Sequence, residues 1–354
     1  MKLQLLEIKG TVSIADALER SIQYLKSHQY PNGEFCCYFA PDDRMQEWCV
    51  PDSTVFPTAI INTCLLSVSD NIEVETIFKR SIPFFQYQMM RGGAVNYFTK
   101  WHPLFPLSPP DIDDTIFVYN FLRSQNVSSP DPIPLILSNR NKNGLFYTWF
   151  TLRSRLNRDR NYWLITLREF KSPIKSLMFW MKNDCRRNDI DAVVNSNVLA
   201  NLDKERQKVV ITYLIEIINN GKENKCDSWY QNPFTLYYSL SCNIAKGVSG
   251  LKPVTETIIK RILGKQKKDG SIGDSALDTS FGITSLLNLG YYGKPVSNAV
   301  SFLLQAQKEN GEWPRHIFFY SGPKKAVGWG SEELTTAFCI EALSKYQQVL
   351  RSQP

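Results

Sequence analysis

Apolar positions recur three and four residues apart along most of the chain. Ile14, Leu18, Ile22 and Leu25 predict an amphipathic helix that stops near Gln29-Tyr30-Pro31-Asn32-Gly33-Glu34-Phe35. A connector holding Trp48 leads to Pro51-Asp52-Ser53-Thr54, read as the cap of a second, more apolar helix with Ile60, Ile61, Cys64 and Leu65. The order then returns. A helix over about 74–90 ends at Gly92-Gly93, and a connector with Trp101 reaches Pro109-Pro110-Asp111-Ile112-Asp113-Asp114-Thr115 before the apolar run from Ile116 to Leu122. A helix at 173–183 precedes Asn188-Asp189-Ile190-Asp191 and the run from Val193 to Leu202. Residues 205–219 precede Trp229 and a helix from Phe234 to Cys242, and 254–266 precede Leu277-Asp278-Thr279 and a helix through Leu289. The last pair is 296–307, then Trp329 and Ser331-Glu332-Glu333 capping a helix through Leu343.

Six times a polar-faced helix is followed by an acid-capped, more apolar one, an internal repeat of about 45–75 residues. Pairs of this kind bury their apolar members by closing on themselves. The expected fold is therefore all-α, an (α/α)6 toroid with six inner and six outer helices. It would form one domain over 1–354 with a basic insertion at about 125–171, and inner helices would begin near 53, 113, 190, 233, 278 and 332. The inner N-termini then share one mouth, together with the tryptophans that precede them.

Composition agrees with a folded globular chain: 354 residues, 43% hydrophobic. The N-terminus lacks a basic start followed by a long apolar core, and the run from Val209 to Ile218 is interrupted by Glu216, so neither a signal peptide nor a spanning helix is expected. Eight cysteines without a Cys-x-x-Cys pair read as buried thiols of a reducing compartment, and a cytoplasmic placement with peripheral membrane contact is expected. Charge changes the picture more. Residues 140–187 carry twelve basic and three acidic side chains, a local excess of nine, which leaves the rest of the +7 chain at minus two. That block, with Arg153, Arg155, Arg158 and Arg160 at its densest, suits a diphosphate or an anionic membrane. A solvated basic face is the plainer alternative, and no recognisable motif supports nucleic-acid binding.

The acids at 111–114 are the candidate chemistry. One carboxylate can cap a helix; three in four residues cost Coulomb energy that a cap alone would not incur. Asp111 and Asp114 can share backbone donors, while Asp113 projects toward the lumen, where desolvation and its neighbours would keep it protonated as a general acid. An isolated helix-start acid is more often only a cap, and Asp52 and Asp278 are read so. Aromatic faces stabilise a cation without attacking it. Trp48, Phe117, Trp229, Phe234, Phe281, Phe319, Tyr320 and Trp329 are the candidate substrate contacts, with Arg158 for an anionic head group. His316 is a weaker candidate for a terminating base.

Asp111-Ile112-Asp113-Asp114-Thr115 is similar to the Asp-x-Asp-Asp-Thr motif of class II terpene cyclases, the squalene-hopene cyclase and copalyl diphosphate synthase group. Gln307-x-x-x-Gly311-x-Trp313 resembles that superfamily's Gln-Trp repeat, with degenerate copies at Gln29-x-x-x-Gly33-x-Phe35 and Gln266-x-x-x-Gly270. The resemblance implies protonation-initiated cyclisation of a linear isoprenoid, with the middle aspartate, Asp113, as donor. A single toroid and the basic block favour a prenyl diphosphate of fifteen or twenty carbons whose diphosphate is retained. No cofactor is required on this reading, and Mg2+ enters only with a diphosphate. The chain departs from the family in having room for one toroid instead of two helical domains, and in Ile116 after the threonine. The alternatives are a non-catalytic toroid that binds a lipid or partner protein, a carbohydrate-active toroid enzyme, and a protein prenyltransferase whose zinc would need Cys226-Asp227.

Overall fold

The computed structural model describes residues 13–153, 159–171, 173–182 and 185–352. In chain order its helices are α1 (Ile14–His28), α2 (Phe56–Leu65), α3 (Ile72–Gln88), α4 (Ile112–Ser124), α5 (Ile133–Ser138), α6 (Arg160–Thr166), α7 (Pro173–Lys182), α8 (Ala192–Val198), α9 (Lys204–Asn219), α10 (Pro233–Ala245), α11 (Thr255–Leu263), α12 (Ala276–Asn288), α13 (Lys294–Ala306) and α14 (Glu332–Ser352). Helices α2, α4, α8, α10, α12 and α14 touch in that order, and α14 returns to α2, so the inner ring closes. Outside it, α1 packs on α14 and α3, α9 on α8 and α11, and α13 on α12. The fold is the expected all-α toroid. Inner helices are buried nearly all round, as in α12, where twelve residues from Ala276 to Leu287 are buried; outer helices bury one stripe.

Closure is fastened by three glutamines at the ends of outer helices. The Gln307 amide donates to the Gly311 carbonyl within its own turn and to the Ala17 carbonyl in α1. Gln29 makes the matching pair with Gly33 and Ile77, and Gln266 with Gly270 and Pro295. Each amide therefore ties one outer helix to the next, and Gln307 joins the last to the first. Trp313 is fully buried, and its indole N–H donates to the Leu303 carbonyl. Gly311 has φ +103°, and a Cβ there would stand 2.4 Å from the Arg20 carbonyl oxygen. Gly311→Ala should therefore lower stability by about 1–3 kcal/mol through backbone strain, read as a lower thermal midpoint with the site intact.

Two parts of the reading are corrected. The third outer position is filled by α5, whose Leu135 and Ile136 are buried, and not by the helix at 173–183. That helix exists as α7, within a basic excursion between the α5 turn and α8. A small antiparallel sheet was also not expected: β1 (Cys37–Ala40), β2 (Val50–Asp52), β3 (Phe319–Tyr320) and β4 (Gly328–Gly330), in the order β2-β1-β4-β3. Its central pairing, Phe39 opposite Trp329, joins the first and last connectors across the mouth.

Candidate active site

The helix that carries the acids begins as its sister helices do. Asp111 is the N-cap of α4 and accepts from the Asp114 N–H at 2.9 Å, while the Thr115 hydroxyl donates to the Asp111 carbonyl. Ser275 and Thr279 repeat this arrangement at α12, and Ser331 and Thr335 at α14. Asp111 thus stands where the other repeats place an ordinary capping serine. Asp113 stands where they place Leu277 and Glu333, and it caps nothing. Its carboxylate instead accepts from the Tyr230 hydroxyl at 2.7 Å on one oxygen and from the Asn197 amide at 3.0 Å on the other. The Asn197 carbonyl oxygen accepts from Ser239 at 2.7 Å, which fixes the amide with its N–H toward Asp113.

All three acids are buried. Burial raises Asp113 to about 7, against the two hydrogen bonds, which pull it down. Asp114 lies well above the usual carboxylate range because of burial and the charge of Asp111, and burial also raises Asp111. One Asp114 oxygen has no hydrogen-bond partner. The cluster therefore holds protons near neutral pH. With both Asp113 oxygens already accepting, a proton on this carboxyl must occupy a remaining lone pair, and the two donors stand ready to stabilise the anion it leaves.

The acids form one wall of a mainly apolar cavity at the N-terminal end of the inner ring, about 660 Å3 counting its open mouth. Of the sequence candidates, Asp111, Asp113, Asp114, Trp229, Phe319 and Trp329 line it. Phe319 and Trp329 stack at 5.6 Å with planes 13° apart, and the Trp329 indole is held by the Asp52 carboxylate at 2.8 Å. Asp52 is therefore no helix cap, since α2 starts without a side-chain cap; it accepts from Trp329 and pairs with His102 at 3.0 Å. Asp278 is likewise not the cap of α12, which is Ser275; it accepts from Asn232 and from the Asp274 N–H.

The other candidates lie elsewhere. Trp48 is 46% exposed and meets Phe39 edge-on; Phe234 packs on Tyr237; Phe281 is inside the core against Phe338; and Tyr320 donates to Asp43. Phe117 lines a second, more polar cavity of about 940 Å3 toward the C-terminal ends of the inner helices, and Asn197 stands between it and Asp113. His316 is outside both cavities. Arg155 and Arg158 lie outside the described residues. Arg153 and Arg168 direct their guanidinium groups to backbone carbonyls, those of Trp149, Thr151 and Arg187 for the first and of Phe105 for the second. Asn197 and the lining residues Phe56, Tyr97, Trp149 and Phe179 were not expected at the site, and Tyr230, expected only as one more aromatic ring at the lumen, is the hydrogen-bond donor to Asp113. The polar triplet Asn195-Ser196-Asn197 inside an otherwise apolar helix was the available signal.

No protein-family model and no curated protein matches the chain. Solved structures do. Type II terpene cyclase MstE from Scytonema aligns over 95% of this chain and 99% of its own, at TM-score 0.68 and 13% identity, and has also been solved with geranylgeranyl dihydroxybenzoate as substrate. The ent-copalyl diphosphate synthase from Streptomyces platensis aligns over 83% of this chain and 50% of its own, at TM-score 0.56 and 14% identity. A possible member of the GH105 family from Salmonella enterica aligns over 97% and 96%, at TM-score 0.53 and 10% identity. The likeness is one of fold.

Proposed function

We propose that this protein is a class II terpene cyclase, in which Asp113 protonates a linear isoprenoid of fifteen or twenty carbons. The observation that carries the reading is a buried carboxyl group raised to about 7, braced by Tyr230 and Asn197, on the wall of an aromatic cavity. The Asp113 O–H proton adds to the terminal carbon of an alkene. The alkene π pair becomes the new C–H bond, and positive charge appears on the neighbouring substituted carbon. Successive alkenes attack that cation to close rings, and a final proton loss to water or a base restores neutrality without any change of oxidation state. The faces of Trp229, Phe319 and Trp329 offer the cation attraction without a nucleophile. The carboxylate left on Asp113 is stabilised by its two donors.

Rival readings fare less well on the same residues. Carbohydrate cleavage wants a polar cleft, whereas this cavity is walled by aromatic rings. The Asp227 carboxylate of the prenyltransferase reading accepts from the Val193, Trp229 and Tyr230 N–H groups, so it serves the backbone. On this reading any Mg2+ would arrive on the phosphates of a substrate, keeping most of its waters. Lys and Arg are absent from the described cavity lining, so a diphosphate head group would lie toward the basic segment and a neutral or aryl head group nearer the mouth.

The test is incubation at pH 6 in D2O with farnesyl and geranylgeranyl diphosphates, a geranylgeranylated hydroxybenzoate and an uncharged polyprene, with and without Mg2+. Cyclised products are expected that keep their head group and carry one deuterium at the carbon that was protonated. Absence of cyclised product from every substrate, or products that have lost diphosphate and carry no deuterium, would remove the cyclase reading.

A further inference from the structure

Helix α7 is apolar on two opposite faces. Ser176 is buried, and Phe179 and Trp180 turn inward, where Trp149 meets them edge-on at 6.2 and 5.7 Å and Phe179 helps to line the acid-bearing cavity. On the other face Ile174, Leu177, Met178 and Met181 follow one another at helical spacing and are all exposed, Ile174 and Met181 at 75%. Phe170, 62% exposed, continues the patch toward α6. A helix that is apolar all round belongs in a core or in lipid, and this one has only half of a core. Among the described residues from 160 to 182, every exposed charged side chain is positive: Arg160, Lys171 and Lys175. The acids of this stretch are occupied, Glu169 with Arg187 and Asp159 with the Asn161 and Tyr162 N–H groups.

We propose that α7 is a membrane-docking element, laid in the plane of an anionic lipid surface with its outer residues among the acyl chains. Ten residues of helix span about 15 Å, half of a hydrocarbon core, so α7 lies on the membrane and does not cross it. Apolar residues ringed by lysine and arginine are the composition of an interfacial helix, and anionic headgroups supply the complementary charge. Since the inner face of the same helix borders the cavity, docking sets that wall of the cavity beside the bilayer in which a polyprene dissolves; this last step rests on the cyclase reading, while docking itself does not.

The experiment is sedimentation of the full chain with vesicles of phosphatidylcholine alone and of phosphatidylcholine with 30% phosphatidylglycerol, at low and at 0.5 M salt. Wild type should partition at least tenfold better onto the anionic vesicles at low salt. A triple Ile174→Ser, Leu177→Ser, Met181→Ser variant should lose at least tenfold of that binding, and Lys171→Glu with Lys175→Glu should abolish the preference for anionic lipid. These positions are exposed, so circular dichroism and thermal melting should match wild type. Wild type left in the supernatant with both vesicles, or binding untouched by the substitutions, would overturn the proposal. So would a wild-type dimer that the serine substitutions dissociate without change in lipid binding, since the face would then meet a second copy of the chain. Loss of cyclisation would not bear on these outcomes, because none reads turnover.

Discussion

Asp113→Asn is expected to lower turnover about 1,000- to 10,000-fold, the scale of a lost general acid, while making the protein more resistant to denaturant at pH 8. The amide keeps the shape: its oxygen can accept from Asn197 and its NH2 can donate to the Tyr230 oxygen, but it has no proton acidic enough for an alkene. The stability effect follows from the raised pKa. A carboxyl group at about 7 in the folded state and about 3.9 in the unfolded chain does not oppose folding below pH 3.9. It opposes folding increasingly as pH rises through that window, by up to about 4 kcal/mol above pH 7. Asp111 and Asp114 add slopes of the same sign in both proteins, so the difference between wild type and variant reports Asp113 together with its Coulomb coupling to those two. Denaturant midpoints at pH 5 and pH 8 should show the variant gaining on wild type as pH rises. Parallel pH profiles would mean that Asp113 is not protonated in the folded protein, and undiminished turnover would take the acid role from it.

Tyr230→Phe should move the alkaline limb of the rate profile upward while lowering its plateau. The phenol donates to Asp113 at 2.7 Å and pulls its pKa down, so removing the hydroxyl leaves the acid protonated to higher pH. A hydrogen bond to a charged group is worth about 1.5–3 kcal/mol, which moves the limb by about one pH unit or more. The same energy is lost from the carboxylate that forms as the proton leaves, so the plateau should fall about 10- to 100-fold. Activity requires protonated Asp113, so in wild type it should decline as pH rises through about 7. If the ring only packed against its neighbours, the plateau could fall but the limb would stay in place. Measurement of kcat from pH 5 to 9 on both proteins separates the two.

How much of this was legible in the sequence depends on how local the cause was. The starts of α4, α10 and α14 fall within a residue of expectation because capping and proline signals act within a few residues. The third outer helix was misplaced because α5 has six residues and too little pattern, whereas the apolar spacing of α7 is strong. Periodicity reports that a face is apolar; it does not report what covers that face. Trp48 shows the same limit at the mouth. It precedes an inner helix as Trp229 and Trp329 do, yet β1 and β2 pair through Tyr38 and Pro51 and carry it outward onto Phe39.

The sequence by itself determined the repeat, the closed ring that the repeat requires, the mouth at which the inner helices begin, and the surplus of carboxylates there. These follow from helical period, capping and like-charge repulsion, all set within one or two helical turns. Only the tertiary structure decided which carboxylate is free of the backbone and what braces it. Tyr230 and Asn197 lie 117 and 84 residues beyond Asp113 and reach it because ring closure brings the connector before α10 and the last turn of α8 against the start of α4. A pKa is a property of burial and of neighbours across the fold, so the chain order that placed three acids together could not say that Asp111 would cap while Asp113 would face the cavity.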